Sequence, residues 1–214
     1  PPRSAFLSYP TRFRAAKNGL KLKATRGVAD GKSLSDGVAL ITQGTLAHNG
    51  MEIIVAMQEL LAERGISSLA HTLAFGISNR TGMYDCATPH NHKNTDFMSE
   101  IPLWLDWLEA KGATDITLVG HSRGGNQVAW FMSEMGRPSI SRAVLVAPGT
   151  YNPASAAKSY EKTYDKKLKD VLARSKRMIA AGRGDEFMYA IGFVYCPGVD
   201  VTPETFVNYY EPDM

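Results

Sequence analysis

No apolar run in this 214-residue chain approaches the roughly 18 to 20 residues that a membrane helix requires, because a charged residue or a histidine interrupts every hydrophobic stretch. The reading is a soluble chain with no integral membrane segment. Cysteine is scarce: Cys86 and Cys196 both fall in segments read as loops. They leave two alternatives open, one bridge closing a long loop in an oxidising compartment or two free thiols in a reducing one. There is no initiator Met and no signal-peptide core at Pro1-Pro2-Arg3, so the compartment stays open between cytoplasm and periplasm or exterior. No G-x-G-x-x-G opens a helix after a strand and no P-loop is present, so no nucleotide cofactor is indicated. Net charge is also slight, at +3, yet unevenly placed: Arg3, Arg12, Arg14, Lys17, Lys21, Lys23 and Arg26 all precede the first acid, Asp30. These cations lack interleaved aromatics and alternate with apolar residues, which fits a solvated strand face better than a nucleic-acid or membrane surface.

What is present is a large core-forming fraction, 44% hydrophobic against 21% charged, ample for one globular domain and a poor fit to disorder or a fibrous repeat. Gly37 to Thr42 is a short apolar run ended by Gln43-Gly44, the pattern of a strand buried on both faces. Asn49 with Glu52 three residues on reads as a capping box, and Ile54, Met57, Leu60 and Leu61 recur at helical spacing until Gly65. Ile66 to Phe75 predicts another strand, and the polar stretch Ser78 to Asn94 a long surface loop. Thr95 to Ala110 predicts a helix in which Pro102 marks either a kink or the first turn. Asp115 to Val119 is a third buried strand, Gly120 to Gly125 a sharp turn, Gln127 to Met135 a helix, and Ala143 to Ala147 one more strand. Alternation at this spacing implies an α/β fold with a mostly parallel sheet flanked by helices. After Pro148-Gly149 the pattern changes: Lys158 to Ile179 is charged and helical, and no buried strand is expected before Met214. The division expected is a core over 1–148 and a helical lid or cap over 149–214, with the core resuming beyond.

Gly120-His121-Ser122-Arg123-Gly124 is a G-x-S-x-G match lying between a buried strand and a helix. The glycines suit a strained turn that lifts the Ser122 hydroxyl to the start of a helix, where backbone N–H groups and the macrodipole favour negative charge. With this elbow, the chain resembles the α/β-hydrolase superfamily from about Leu20 to Ala147. The segment Ile41-Thr42-Gln43-Gly44-Thr45-Leu46-Ala47 looks like that superfamily's oxyanion loop, with Gln43 standing where the family usually has His. The runs from Gln43 to Glu52 and from Met83 to His90 look closest to small bacterial hydrolases of unassigned substrate. The resemblance implies that Ser122 is the nucleophile and that the backbone N–H groups of Thr45 and Arg123 form the oxyanion hole.

A serine nucleophile needs a base, supplied in this fold in the chain order Ser, acid, His, and no His follows Ser122. His121 should point away from the hydroxyl. His71 alternates within a strand and reads as a core or edge residue, and His48, in the oxyanion loop, is a weak candidate base. Cys86, His90 and His92 form an incomplete zinc set for which a polar loop is the expected reading, so no metal is assigned. Asp185 in Gly182-Arg183-Gly184-Asp185 is a weak candidate acid, a glycine-capped helix explaining that segment better. The missing pair is expected beyond Met214. The function expected is a serine hydrolase of a small ester or related acyl substrate through an acyl-enzyme. The competing readings are a non-catalytic protein on the same scaffold and acyl transfer to an acceptor other than water. The oligomeric state is not legible.

Overall fold

Nine-residue alternation at the start of the chain builds a hairpin that the helical periods further on do not announce. The computed structural model describes residues 7–15, as backbone, and 19–212. Pro1, Pro2, Arg3, Lys17, Asp213 and Met214 therefore lie outside the described residues. Strand β1 (Leu7–Ala15) pairs antiparallel with β2 (Lys21–Val28), and β2 buries Leu22 and Ala24 while Lys21 is exposed.

The main sheet has the order β1-β2-β4-β3-β5-β6, with β3 (Val38–Thr42), β4 (Ser67–Thr72), β5 (Ile116–His121) and β6 (Ile140–Val146) mutually parallel and β2 antiparallel to β4. Every residue of β3 is buried, as a central parallel strand requires. Side chains alternate across the sheet, so Ala39 and Ile41 share one face with Ala70 and Val119. Helix α1 (Glu52–Ala62) covers that face through Ile54, Met57 and Leu61. Helices α2 (Phe97–Glu109) and α3 (Arg123–Met135) complete the flanks, their Phe97 and Trp130 rings meeting edge-on at 5.5 Å. The fold is therefore α/β with a mostly parallel sheet flanked by helices. Strand β6 ends this sheet, and Val144 and Leu145 are exposed on it. No described helix is long and apolar enough to cross a membrane.

The capping box at Asn49 does not form. Met51 is the N-cap and offers no side-chain acceptor. Asn49 instead donates its amide to Thr25 Oγ1 at 2.8 Å and the Ala70 carbonyl at 3.1 Å, because a buried amide is satisfied better across the sheet than at an open helix end. Pro102 lies within α2 rather than at its start.

Two compact units make up the chain: residues 1–83 with 97–150, and residues 84–96 with 151–214. The second contains α4 (Pro153–Tyr164), α5 (Leu168–Ala180) and α6 (Pro203–Tyr210), and also an antiparallel ribbon of β7 (Met188–Phe193) and β8 (Cys196–Val201). This ribbon overturns the expectation of no further buried strand, since Met188, Phe193, Cys196 and Val201 are wholly buried. Its signal was hidden by Gly192 and Pro197-Gly198, which read as breakers, and by a turn with Val194 at φ 57° where Asn-Gly would be expected. Gly192 is there for space: a Cβ would lie 2.3 Å from the Tyr164 ring.

The surface loop expected from Ser78 to Asn94 is also corrected. His90, His92 and Asn94 are buried, and His90 bridges to Val201 of β8. A disulfide joins Cys86 to Cys196, which begins a strand rather than lying in a loop.

Candidate functional site

The strand β5 runs through His121 and α3 starts at Arg123, so the turn between them is a single residue, Ser122, with φ 54° and ψ −122°. A non-glycine residue at positive φ is strained by roughly 1–3 kcal/mol and persists only where its surroundings enforce it. Here they do. The Ser122 N–H donates to the Val146 carbonyl at 3.0 Å, and the Ser122 carbonyl accepts from Gly125 at 2.9 Å and Gly149 at 2.8 Å. A Cβ on Gly120 would stand 2.3 Å from the Gly124 carbonyl oxygen, and one on Gly124 would stand 2.4 Å from those of Thr42 and Gln43. Only glycine allows this approach of helix to strand and loop.

The same closeness brings the loop after β3 to the elbow. A Cβ at Gly44 would lie 3.3 Å from Ser122 Cβ, and Arg123 Nε donates to Thr45 Oγ1 at 3.0 Å. Thr45, Ser122 and Arg123 thus converge at the first turn of α3, where helix N–H groups lack intrahelical acceptors and the dipole is positive. An anionic oxygen would be stabilised there.

The loop itself is braced from β4. With its amide turned so that the nitrogen faces the His71 carbonyl, the orientation in which both of its polar atoms find partners, Gln43 donates to that carbonyl at 2.5 Å and accepts from the Leu73 N–H at 2.8 Å. Asn49 N–H donates to Thr72 Oγ1 at 3.0 Å. Arg80, also buried, donates to the carbonyls of Leu73, Gly82 and Ala47 at 2.7, 2.8 and 2.5 Å. Sequence reading did not find Arg80, which sits in a polar stretch with no periodicity to mark it as interior.

Each histidine has a place. His71 Nε2 meets Thr42 Oγ1 at 2.9 Å, its Nδ1 has no partner, and burial holds its pKa down at about 3. His48 Nδ1 accepts from the Gly50 N–H at 3.1 Å, and burial, then the Arg80 and Lys23 charges, lower its pKa. The His121 Nδ1 lies 3.6 Å from where a Gly44 Cβ would be. None of these contacts involves Ser122.

In the second unit His90 Nδ1 and His92 Nε2 lie 3.1 Å apart, and His92 Nδ1 meets the Tyr209 hydroxyl at 3.1 Å. His90 Nε2 has no partner, and burial lowers its pKa to about 4. Tyr84 and Phe193 pack on both imidazoles, and Tyr160 and Phe206 extend the cluster. Tyr189 and Tyr195, by contrast, are largely exposed. Asp185 is exposed in the turn that follows α5 and Gly182.

The family profile described as alpha/beta hydrolase fold matches residues 69–207. No curated protein matches the chain. Among solved structures, Est1E from Butyrivibrio proteoclasticus is 24% identical over 69% of this chain and 54% of its own, with a TM-score of 0.55. Est1E with ferulic acid bound is 19% identical over 94% of this chain and 70% of its own, with a TM-score of 0.62. An esterase of Pyrococcus furiosus, Pf2001, is 17% identical over 72% and 55%, with a TM-score of 0.55. The chain spans about half the length of the first and third of these.

Proposed function

The chain belongs to the α/β-hydrolase fold family, and from that premise we propose that it is a serine hydrolase that cleaves a small carboxylic ester or related acyl substrate through an acyl-enzyme on Ser122. The observation that carries this reading is the single-residue turn at Ser122, held at φ 54° between a buried strand and a helix by glycines that nothing larger could replace. Strain of this kind is retained where it positions a reacting group.

In the proposed reaction Ser122 Oγ attacks the acyl carbon and its proton passes to a base. The carbonyl oxygen, now negative, sits against the N–H groups of Thr45 and Arg123 at the positive end of α3. Removal of one such donor costs about a hundredfold to a thousandfold in rate. The intermediate expels the alcohol, which takes up that proton from the base; water then gives a proton to the same base, attacks the acyl carbon and releases the acid, the proton returning to Ser122 Oγ. We assign no step to His48, whose Nδ1 is engaged by Gly50, or to Asp185, exposed beyond α5. The esterase names of the structural neighbours favour an ester over an amide. The Cys86–Cys196 bridge favours a periplasmic or extracellular setting.

Intact-mass spectrometry after exposure to a fluorophosphonate tests this. One adduct on the wild-type protein, absent from Ser122→Ala, is expected, together with Ser122-dependent hydrolysis of p-nitrophenyl acetate. Absence of an adduct, or its survival in Ser122→Ala, would leave a hydrolase scaffold without this chemistry.

A further inference from the structure

Arg80 is only 4% exposed, although it lies outside every helix and strand. Burying a guanidinium is costly unless its donors are satisfied, and its fork here is engaged by backbone carbonyls. Nε donates to Leu73, Nη1 to Gly82 and, at 3.5 Å, to Leu46, and Nη2 to Ala47, while Cζ stands 4.8 Å from the Phe75 ring centroid. One side chain therefore ties the loop after β4 to the loop after β3.

Two of the carbonyls it grips, those of Leu46 and Ala47, directly follow Thr45. Leu46 has φ 54°, a strained conformation for a branched side chain. Upstream, Gln43 accepts from the N–H of Leu73, the residue whose carbonyl accepts from Arg80. The loop is thus pinned on both sides of Gly44-Thr45 to the backbone of one residue, Leu73, just past β4. A lysine could not reproduce this, because a point-like ammonium cannot span carbonyls on two loops as a planar fork does.

We propose that Arg80 is a positioning residue that holds the Thr45 N–H at the oxyanion site, by fixing the strained Leu46 and the Ala47 peptide unit after it. This rests on the assignment of Thr45 and Ser122 above. The test compares wild type, Arg80→Lys and Arg80→Ala by the rate of phosphonate labelling at Ser122, ester-hydrolysis kcat and KM, melting temperature, and amide exchange in residues 44–48. Expected for Arg80→Lys is a fold that persists, a kcat lower by about tenfold to a hundredfold with KM little changed, as for partial loss of an oxyanion donor, and faster exchange in 44–48. Millimolar methylguanidinium should restore part of the labelling rate in Arg80→Ala, a rescue that repair of global stability alone would not give. Wild-type labelling and kcat in Arg80→Lys, or losses that merely follow the unfolded fraction, would overturn the proposal. If the wild type itself is not labelled at Ser122, the functional reading fails instead, and the brace then stands or falls on exchange in 44–48 alone.

Discussion

The residues that matter most at the elbow are those with no side chain. Gly124 faces the carbonyls of Thr42 and Gln43 at a distance no methyl tolerates. Gly124→Ala should therefore destabilise the protein by about 1–3 kcal/mol, the usual cost of overpacking, as measured by urea denaturation. Because the displaced carbonyls adjoin Gly44 and Thr45, labelling of Ser122 should slow by more than the unfolded fraction accounts for. The G-x-S-x-G spacing made Ser122 and both glycines legible in the sequence. The bracing of the neighbouring loop by Gln43 and Arg80 was not, because their partners are backbone atoms of β4 and of the loops after β3 and β4, which carry no side-chain signature.

Among the elements, the segment 84–96 departs furthest from its sequence. Its polarity reads as a solvent loop, yet His90 and His92 bond each other and Tyr209, under the rings of Tyr84 and Phe193. Charged groups of this unit include the Lys93–Glu204 pair, Asp96, which accepts from the Lys93 N–H, and Asp200, whose carbonyl accepts from the His90 N–H. His90 is held neutral, its pKa depressed from 6.5 to about 4, so below pH 6.5 the unfolded chain binds a proton that the folded chain does not. Its contribution is complete above pH 6.5 and is lost as pH falls toward 4. The loss should be on the order of 3 kcal/mol in this unit, at about 1.4 kcal/mol per pH unit. Unfolding followed at pH 7, 5.5 and 4 by tyrosine near-ultraviolet circular dichroism should show this slope, and His90→Gln should flatten it. Helices announced themselves better: α1 and α5 carry their apolar residues at helical spacing, which burial of one face requires.

For the molecule as a whole, the two units carry separate spectroscopic reporters. All three tryptophans, Trp104, Trp107 and Trp130, fall in the first, and eight of the nine tyrosines fall in the second. The Cys86–Cys196 bridge, 110 residues apart in sequence, lies wholly within the second. Its removal by Cys86→Ser with Cys196→Ser should cost that unit roughly 2–5 kcal/mol. The tyrosine-monitored transition should move to lower urea while the tryptophan-monitored one stays in place. A common shift of both would mean that the units unfold as one.

Sequence alone determined the parallel core, because a strand buried on both faces must be continuously apolar and the helix that follows it must repeat at its own period. It also marked the elbow, because only glycines fit so close a turn. Tertiary structure decided what local pattern cannot encode: that a histidine-rich stretch is buried, that strands broken by Gly and Pro still pair, that two distant cysteines meet, and that Arg80 reaches across two loops. In each case the partner lies far along the chain, and the energy that fixes the residue comes from that partner rather than from its neighbours in sequence.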